Sequence, residues 1–231
     1  MAKNSSTCGV VSEFNPFHRG HEFLLKEIRR KGYSHIVAVM SGNYVQRGEP
    51  AIFSKWARTK MALQCGVDLV IELPLPWSLS GAERFAFGGV SCLHSLNCVD
   101  ALAFGSECGE IESLMKLALL LNSDEFKNEV QKQLKNGSSF AVARKMAVAE
   151  LVGENSAALM DSPNNILGIE YCKALIKLSS QIRPFTIKRI GAGHHEESVP
   201  RFRFPLLETE NRAISDRIIC VRCLQSDSRD S

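Results

Sequence analysis

The sequence has no apolar run approaching the roughly 18 residues that a membrane-spanning helix needs, and its first seven residues are polar, unlike a secretory signal. It has no strong charge bias: a formal net charge of +3 neither requires nor opposes a nucleic-acid partner. Metal-site cysteine spacing is almost absent. Of eight cysteines only Cys220-Val221-Arg222-Cys223 has it, and with no second pair it argues against zinc. Most of the others sit in apolar stretches, as small core residues do. These absences point to reduced thiols in a cytoplasmic protein with no membrane span and no structural metal. What remains is ordinary globular composition. With 45% hydrophobic and 23% charged residues over 231 positions, the chain can bury a sizeable core in one large domain, or one domain with an appendage.

Strand-like and helix-like runs alternate along the chain. Cys8–Ser12 reads as a strand, Glu22–Lys31 as a helix, and His35–Met40 as a second strand ending in the turn Ser41-Gly42-Asn43. Ser54–Cys65 has helical spacing, Val67–Leu73 is a third strand closed by Pro74 and Pro76, Ala82–Leu96 is helical, and Ala101–Phe104 is a fourth strand. Residues 111–160 read as helical throughout; Pro163-Asn164-Asn165 breaks the chain before a helix Ile166–Leu178 and a last strand Arg183–Ile190. Continuous apolar strands alternating with helices predict an α/β fold with a parallel sheet covered on both faces. Ligands of such sheets collect at the carboxyl ends of the strands. Here those ends carry Asn15–His21, Ser41–Asn43, Leu73-Pro74 and Gly105–Glu107, polar or glycine-rich turns that can surround one ligand.

The stretch Asn15-Pro16-Phe17-His18-Arg19-Gly20-His21 is the most informative. A His-x-Gly-His turn between a strand and a helix suits a nucleotide triphosphate. Gly20 removes a Cβ so that backbone can approach a phosphate, and the new helix offers unpaired N–H groups and its positive dipole end. Two imidazoles can donate to phosphate oxygens as charge develops there. A plain turn with two solvated histidines is the alternative. Gln46-Arg47-Gly48-Glu49-Pro50 brings a guanidinium near the same rim, either to grip an anion or as a surface turn. Lys55, Arg58 and Lys60 read as a solvated helix face. Asn164-Asn165 has amides fit for a nucleobase or ribose, but on these residues alone a turn and helix N-cap is preferred. Arg189 is a similar case, and His194-His195 reads as surface.

Several segments taken together are more specific. Glu13–His21, Ala38–Asn43, Gln46–Ala51, Lys55–Arg58, Gly66–Pro74, Phe104–Glu107 and Pro163–Gly168 closely resemble the bacterial tRNA(Met) cytidine acetate ligase family, in order over about residues 8–190. The resemblance implies a Rossmann-like nucleotidyltransferase domain over 1–190. It implies that acetate and ATP form acetyl-adenylate, whose acetyl group passes to the exocyclic amine of the wobble cytidine in elongator tRNA(Met). Magnesium is expected with ATP. The family's ATP contacts fall on Val11, Ser12, Glu13, Phe14, Asn15, Pro16, Phe17, His18, Arg19, Gly20, His21, Glu22, Phe23, Leu24, Gly105, Asn164 and Arg189, with His18 and His21 stabilising phosphate charge. This reverses the preference at Asn164 and Arg189.

After Arg189 the family pattern continues into a Ser-Ala-Thr-x-x-Arg-like segment and a helical region implicated in tRNA binding. Here residues 191–231 run through Arg201-Phe202-Arg203-Phe204-Pro205 to a polar end and read as an irregular tail. Codons for Arg201–Pro205 can be chosen so that a one-nucleotide shift reads Ala-Ser-Ala-Phe-Arg, which suggests a frameshifted or truncated product. The alternatives are therefore an ATP- or RNA-binding remnant without turnover, or another His-x-Gly-His nucleotidyltransferase of the pantetheine-phosphate or nicotinamide-mononucleotide type. Sequencing the gene tests the frameshift: a shifted frame that continues into family-like sequence is expected, and one that does not removes the idea.

Overall fold

A computed structural model of the chain describes residues 6–189. The expectations for the tail, including His194-His195, Arg201–Pro205 and Cys220–Cys223, lie outside the described residues. The elements run β1 (Thr7–Ser12), α1 (Arg19–Arg30), β2 (His35–Ser41), α2 (Lys55–Gln64), β3 (Leu69–Leu73), the single-turn α3 (Leu75–Ser78), α4 (Ala82–Ser95) and β4 (Ala101–Ser106). Then follow α5 (Ile111–Asn122), α6 (Asp124–Lys135), α7 (Phe140–Val152), the short α8 (Glu154–Ala157), α9 (Pro163–Lys177) and β5 (Arg183–Lys188). The five strands form one sheet in the order β3-β2-β1-β4-β5, and every pair is parallel. The expected Rossmann-like α/β sheet is thus present.

Side chains alternate across a strand with period two, and β2 shows the consequence. Val37 and Val39 join a core cluster with Phe85, Val90 and Leu93 of α4, Leu114 and Leu117 of α5, and Ile169 and Tyr171 of α9. Ile36, Ala38 and Met40 face the other way, into a cluster with Leu25 and Ile28 of α1 and Ala62 of α2. Both sheet faces are therefore dry. The close contact between layers needs glycine at Gly89 of α4, where a Cβ would sit 2.5 Å from Val11.

Several boundaries differ from expectation for local reasons. The continuous helix over 111–160 is divided: Ser123 accepts the Phe126 N–H at 3.1 Å and starts α6, while Gly137 and Gly153, at φ 86° and 91°, end α6 and α7 in the left-handed region. Helix α9 begins at Pro163 rather than after Asn165, because proline in a first turn gives up only an N–H that had no intrahelical partner. Strand β3 begins at Leu69, since the Asp68 carboxylate instead accepts from Ile36 N at 2.7 Å and Arg29 Nη2 at 2.6 Å. The last strand stops at Lys188. Leu102 is fully buried on the interior strand β4, so Leu102→Ala is expected to cost about 2–5 kcal/mol of unfolding free energy, measured by urea denaturation followed by circular dichroism.

Candidate active site

From β1 the chain moves outward through β2 and β3, then returns to the other side of β1 for β4 and β5. At such a reversal the loops after β1 and β4 diverge and leave a crevice beyond their carboxyl ends. The His-x-Gly-His turn lies on one side of it and Gly105-Ser106-Glu107 on the other. Helix α9 is tied to this place by the Tyr171 hydroxyl, which donates to Val11 O at 3.3 Å.

Of the run 11–24, Val11, Phe14 and Phe17 are buried in the core, and Pro16, Phe23 and Leu24 are half-buried. Glu22 pairs with Lys26 at 2.6 Å, and Asn15 Oδ1 accepts from Ile52 N at 2.7 Å. Ser12 Oγ accepts the Phe14 N–H at 3.3 Å. Phe14 has φ 45°, a left-handed conformation that is unusual for a bulky residue and clusters at functional sites. The rings of Phe14 and Phe17 stand 4.9 and 5.4 Å from that of His21 and wall it in.

His18 is the N-cap of α1, which is why the helix begins at Arg19 and not at Glu22. Its Nδ1 accepts the Gly20 N–H at 3.0 Å, and His21 Nδ1 accepts the His18 N–H at 3.2 Å, a reciprocal capping box made of imidazoles. A nitrogen that accepts carries no proton, so each neutral ring holds its hydrogen on Nε2. The rings stack with centroids 3.7 Å apart and 25° between planes. Gly20 is needed for a reason the sequence did not suggest: a Cβ there would lie 2.9 Å from His18 Cε1.

Burial pushes the His21 imidazole down to about 3, helped by the charges of His18 and Arg189. Burial and then Arg189 lower His18 as well. Both rings are thus neutral donors at neutral pH.

The opposite wall is built from β4, β5 and α9. Arg189 N donates to Ser106 O at 2.9 Å, and a Cβ on Gly105 would come within 3.3 Å of Arg189 Cγ. Arg189 is exposed, and its charge reaches both histidines. The Glu107 carboxylate accepts from Asn164 Nδ2 at 2.7 Å, Asn165 N at 2.8 Å and Asn164 N at 3.3 Å. Buried Asn165 answers by accepting Glu107 N and Cys108 N on its Oδ1, at 3.0 and 3.1 Å. Burial would raise the Glu107 carboxyl, but hydrogen bonds from the Asn164 amide and from the backbone N–H groups of Glu107, Asn165 and Asn164 outweigh it and hold it below the usual range. Asn164 and Asn165 therefore lie inside the first turn of α9, and the cap expected of them comes from Glu107.

Sequence reasoning missed Arg58. Far from a solvated face, it is fully buried; its Nε donates to Phe53 O at 3.0 Å, and its two terminal nitrogens donate to Glu13 O and Gly42 O. One guanidinium thus ties the ends of β1 and β2 to the loop before α2, the planar fork serving several carbonyls at once. Burial raises the nearby Glu13 carboxyl, against the pull of the Gln46 N–H and Arg58. Lys55 also leaves the solvated face, pairing with Glu72 at 2.7 Å. The side chain of Arg47 lies outside the described residues. Among the described residues no three His, Cys, Asp or Glu side chains group as a metal site, and no helix is long and apolar enough to cross a membrane.

A family model described as HIGH nucleotidyl transferase matches residues 5–204. The chain belongs to this family. Among curated relatives of this nucleotidyl transferase, the tRNA(Met) cytidine acetate ligase of Clostridium perfringens is 46% identical over 204 residues, covering 84% of this chain and 51% of the relative. That of Caldanaerobacter subterraneus subsp. tengcongensis is 50% identical over 188 residues, covering 80% and 47%. The crystal structure of Thermotoga maritima TmcAL bound with alpha-thio ATP superposes with a TM-score of 0.78 at 41% identity, covering 80% of this chain and 47% of that one. The chain spans about half the length of the curated relatives it matches.

The histidine caps make an acid-stability prediction. Because folding lowers the imidazole pKa from an ordinary 6.5 to about 3 at His21, the unfolded chain takes up protons first as pH falls between those values. The contribution is full above pH 6.5 and is lost toward 3. Thermal melts from pH 7.5 to 4.5 are expected to show Tm falling less steeply in a His18→Gln/His21→Gln variant than in the wild type.

Proposed function

We propose that this chain carries the nucleotide-activating domain of a tRNA(Met) cytidine acetate ligase, over residues 1–190, acting in the cytoplasm on ATP, acetate and elongator tRNA(Met). The observation that carries the reading is the pair of stacked, neutral imidazoles capping α1 beside Arg189, at the reversal point of a parallel sheet. Such a group offers two Nε2–H donors, the positive end of the α1 dipole and a guanidinium to an extended polyanion. The curated relatives are named for the ligase, and a similar solved structure is described as bound with an ATP analogue.

In this reading the ATP contacts are residues 11–24, Gly105, Asn164 and Arg189. An acetate oxygen attacks the α-phosphorus, a new P–O bond forms, the bond to the bridging oxygen breaks, and pyrophosphate leaves. His18 and His21 donate hydrogen bonds to the phosphate oxygens as charge gathers there, and Arg189 holds the nucleotide from the facing wall. The cytidine amine then attacks the acetyl carbonyl, loses a proton, and AMP departs. Magnesium is expected to arrive with the ATP phosphates.

The test supplies ATP, radiolabelled acetate and tRNA(Met). Acetyl-adenylate followed by acetylated tRNA is the expected result; adenylate without acetylated tRNA confines the activity of this chain to the first step. Neither product favours a nucleotide-binding remnant. His21→Ala is expected to reduce acetate-dependent ATP–pyrophosphate exchange by about 100- to 1000-fold, the usual effect of removing a donor from developing charge. Unchanged exchange sinks that role.

A further inference from the structure

Glu107 belongs to a motif that the proposed reaction leaves without work, yet its carboxylate accepts three hydrogen bonds at the crevice. It follows β4, while its partners open α9, 57 and 58 residues later. The helix has no side-chain cap of its own at Ser162, so this carboxylate replaces it. The second consequence concerns the Asn164 side chain. A primary amide can be turned either way round, and its orientation decides whether it shows a ligand an acceptor or a donor. A carboxylate only accepts. Glu107 therefore compels Asn164 to turn its Nδ2 inward, at 2.7 Å, and leaves Oδ1 on the far edge of the amide. Oδ1 accepts nothing from the described residues, although Asn164 is half-buried. The neighbouring Asn165 Oδ1 accepts the Glu107 and Cys108 N–H groups and so fixes the backbone from which the carboxylate extends.

We propose that Glu107 is a positioning residue that sets the polarity of Asn164, so that this position accepts a hydrogen bond from a donor on the nucleotide. The inference rests on the reading of Asn164 as a nucleotide contact. The donor has one of two sources on ATP, the exocyclic amine of the base or a ribose hydroxyl. In either case a carbonyl presented at a fixed edge rejects a group that lacks the proton, because the Asn164 oxygen would then be left unpaired.

The variant Glu107→Gln has a defined outcome. Its NH2 must take the place of one carboxylate oxygen, and facing Asn165 N–H at 2.8 Å is worse than facing Asn164 N–H at 3.3 Å. The NH2 therefore goes to the Asn164 side, the Asn164 amide turns over, and a donor now faces the ligand.

The experiment measures binding of ATP, ITP, 2′-deoxy-ATP and 3′-deoxy-ATP to the full chain by calorimetry. ITP carries a carbonyl where ATP has the amine. The wild type is expected to bind at least one analogue about five- to thirty-fold more weakly than ATP, as for one lost hydrogen bond, and the analogue affected names the donor. Glu107→Gln is expected to weaken ATP by a similar factor and to lose that preference, with ITP gaining on ATP if the amine is the donor. A cap that only holds the helix would weaken all four nucleotides alike, so an unchanged preference overturns the proposal. Asn164→Ala leaves both backbone bonds to Glu107 in place and is expected to show no preference; retention of the wild-type pattern also overturns it. A wild-type chain that binds ATP but treats all analogues equally defeats this inference alone, whereas one that binds no ATP defeats the nucleotide reading as well.

Discussion

The rim of this molecule depends on β1 lying inside the sheet, paired in parallel with β2 on one side and β4 on the other. A parallel strand in that position must be apolar on both faces, which Cys8, Val10 and Val11 satisfy. It must also deliver its polar continuation at the carboxyl end, where the chain turns into α1. Because connections from β1 and β4 leave in opposite directions, their loops cannot close over each other. The crevice is thus a consequence of strand order, and the residues beside it inherit their place from backbone pairing rather than from contacts among themselves.

What fills the rim is a set of fixed polarities. Arg58 spends its guanidinium on three backbone carbonyls and so locks the ends of β1 and β2. Two histidines spend their Nδ1 atoms on the start of α1. Glu107 spends its carboxylate on the start of α9. Each commitment removes one orientation from a group that could otherwise turn. The imidazoles are left as Nε2 donors, the Asn164 amide as an acceptor, and the exposed Arg189 as the cation facing them. Such preorganisation spares an anionic ligand the cost of ordering its site.

Much of this was legible beforehand, and the exceptions are instructive. The apolar runs at residues 8–12, 35–40 and 101–104 marked strands because an interior strand has no polar face to hide. The His-x-Gly-His turn stood out because its residue types are costly to place by chance at a strand-to-helix junction. Helix divisions within 111–160 were missed, since Ser123, Gly137 and Gly153 interrupt an otherwise unbroken helical composition. Arg58 was read as solvated because its neighbours Lys55 and Lys60 suggested a charged face; nothing local shows that three carbonyls wait for it inside. Gly20 was noticed for the approach of a phosphate; its closeness to the His18 ring, 2.9 Å from a Cβ built there, became visible only in the fold.

By itself the amino-acid sequence determined the alternation of strands and helices, the location of the turn and the chemistry available to it, because these follow from periodicity and residue type over a few neighbouring positions. Tertiary structure alone decided which distant groups meet. The burial of Arg58 and the orientation of Asn164 each depend on a partner supplied by the folded backbone, whereas the tautomers of His18 and His21 are set by N–H groups only two or three residues away. For Arg58 and Asn164 that partner is 45 or 57 residues away. Local pattern carries no information about such pairs, since only the closed sheet brings them within hydrogen-bonding distance.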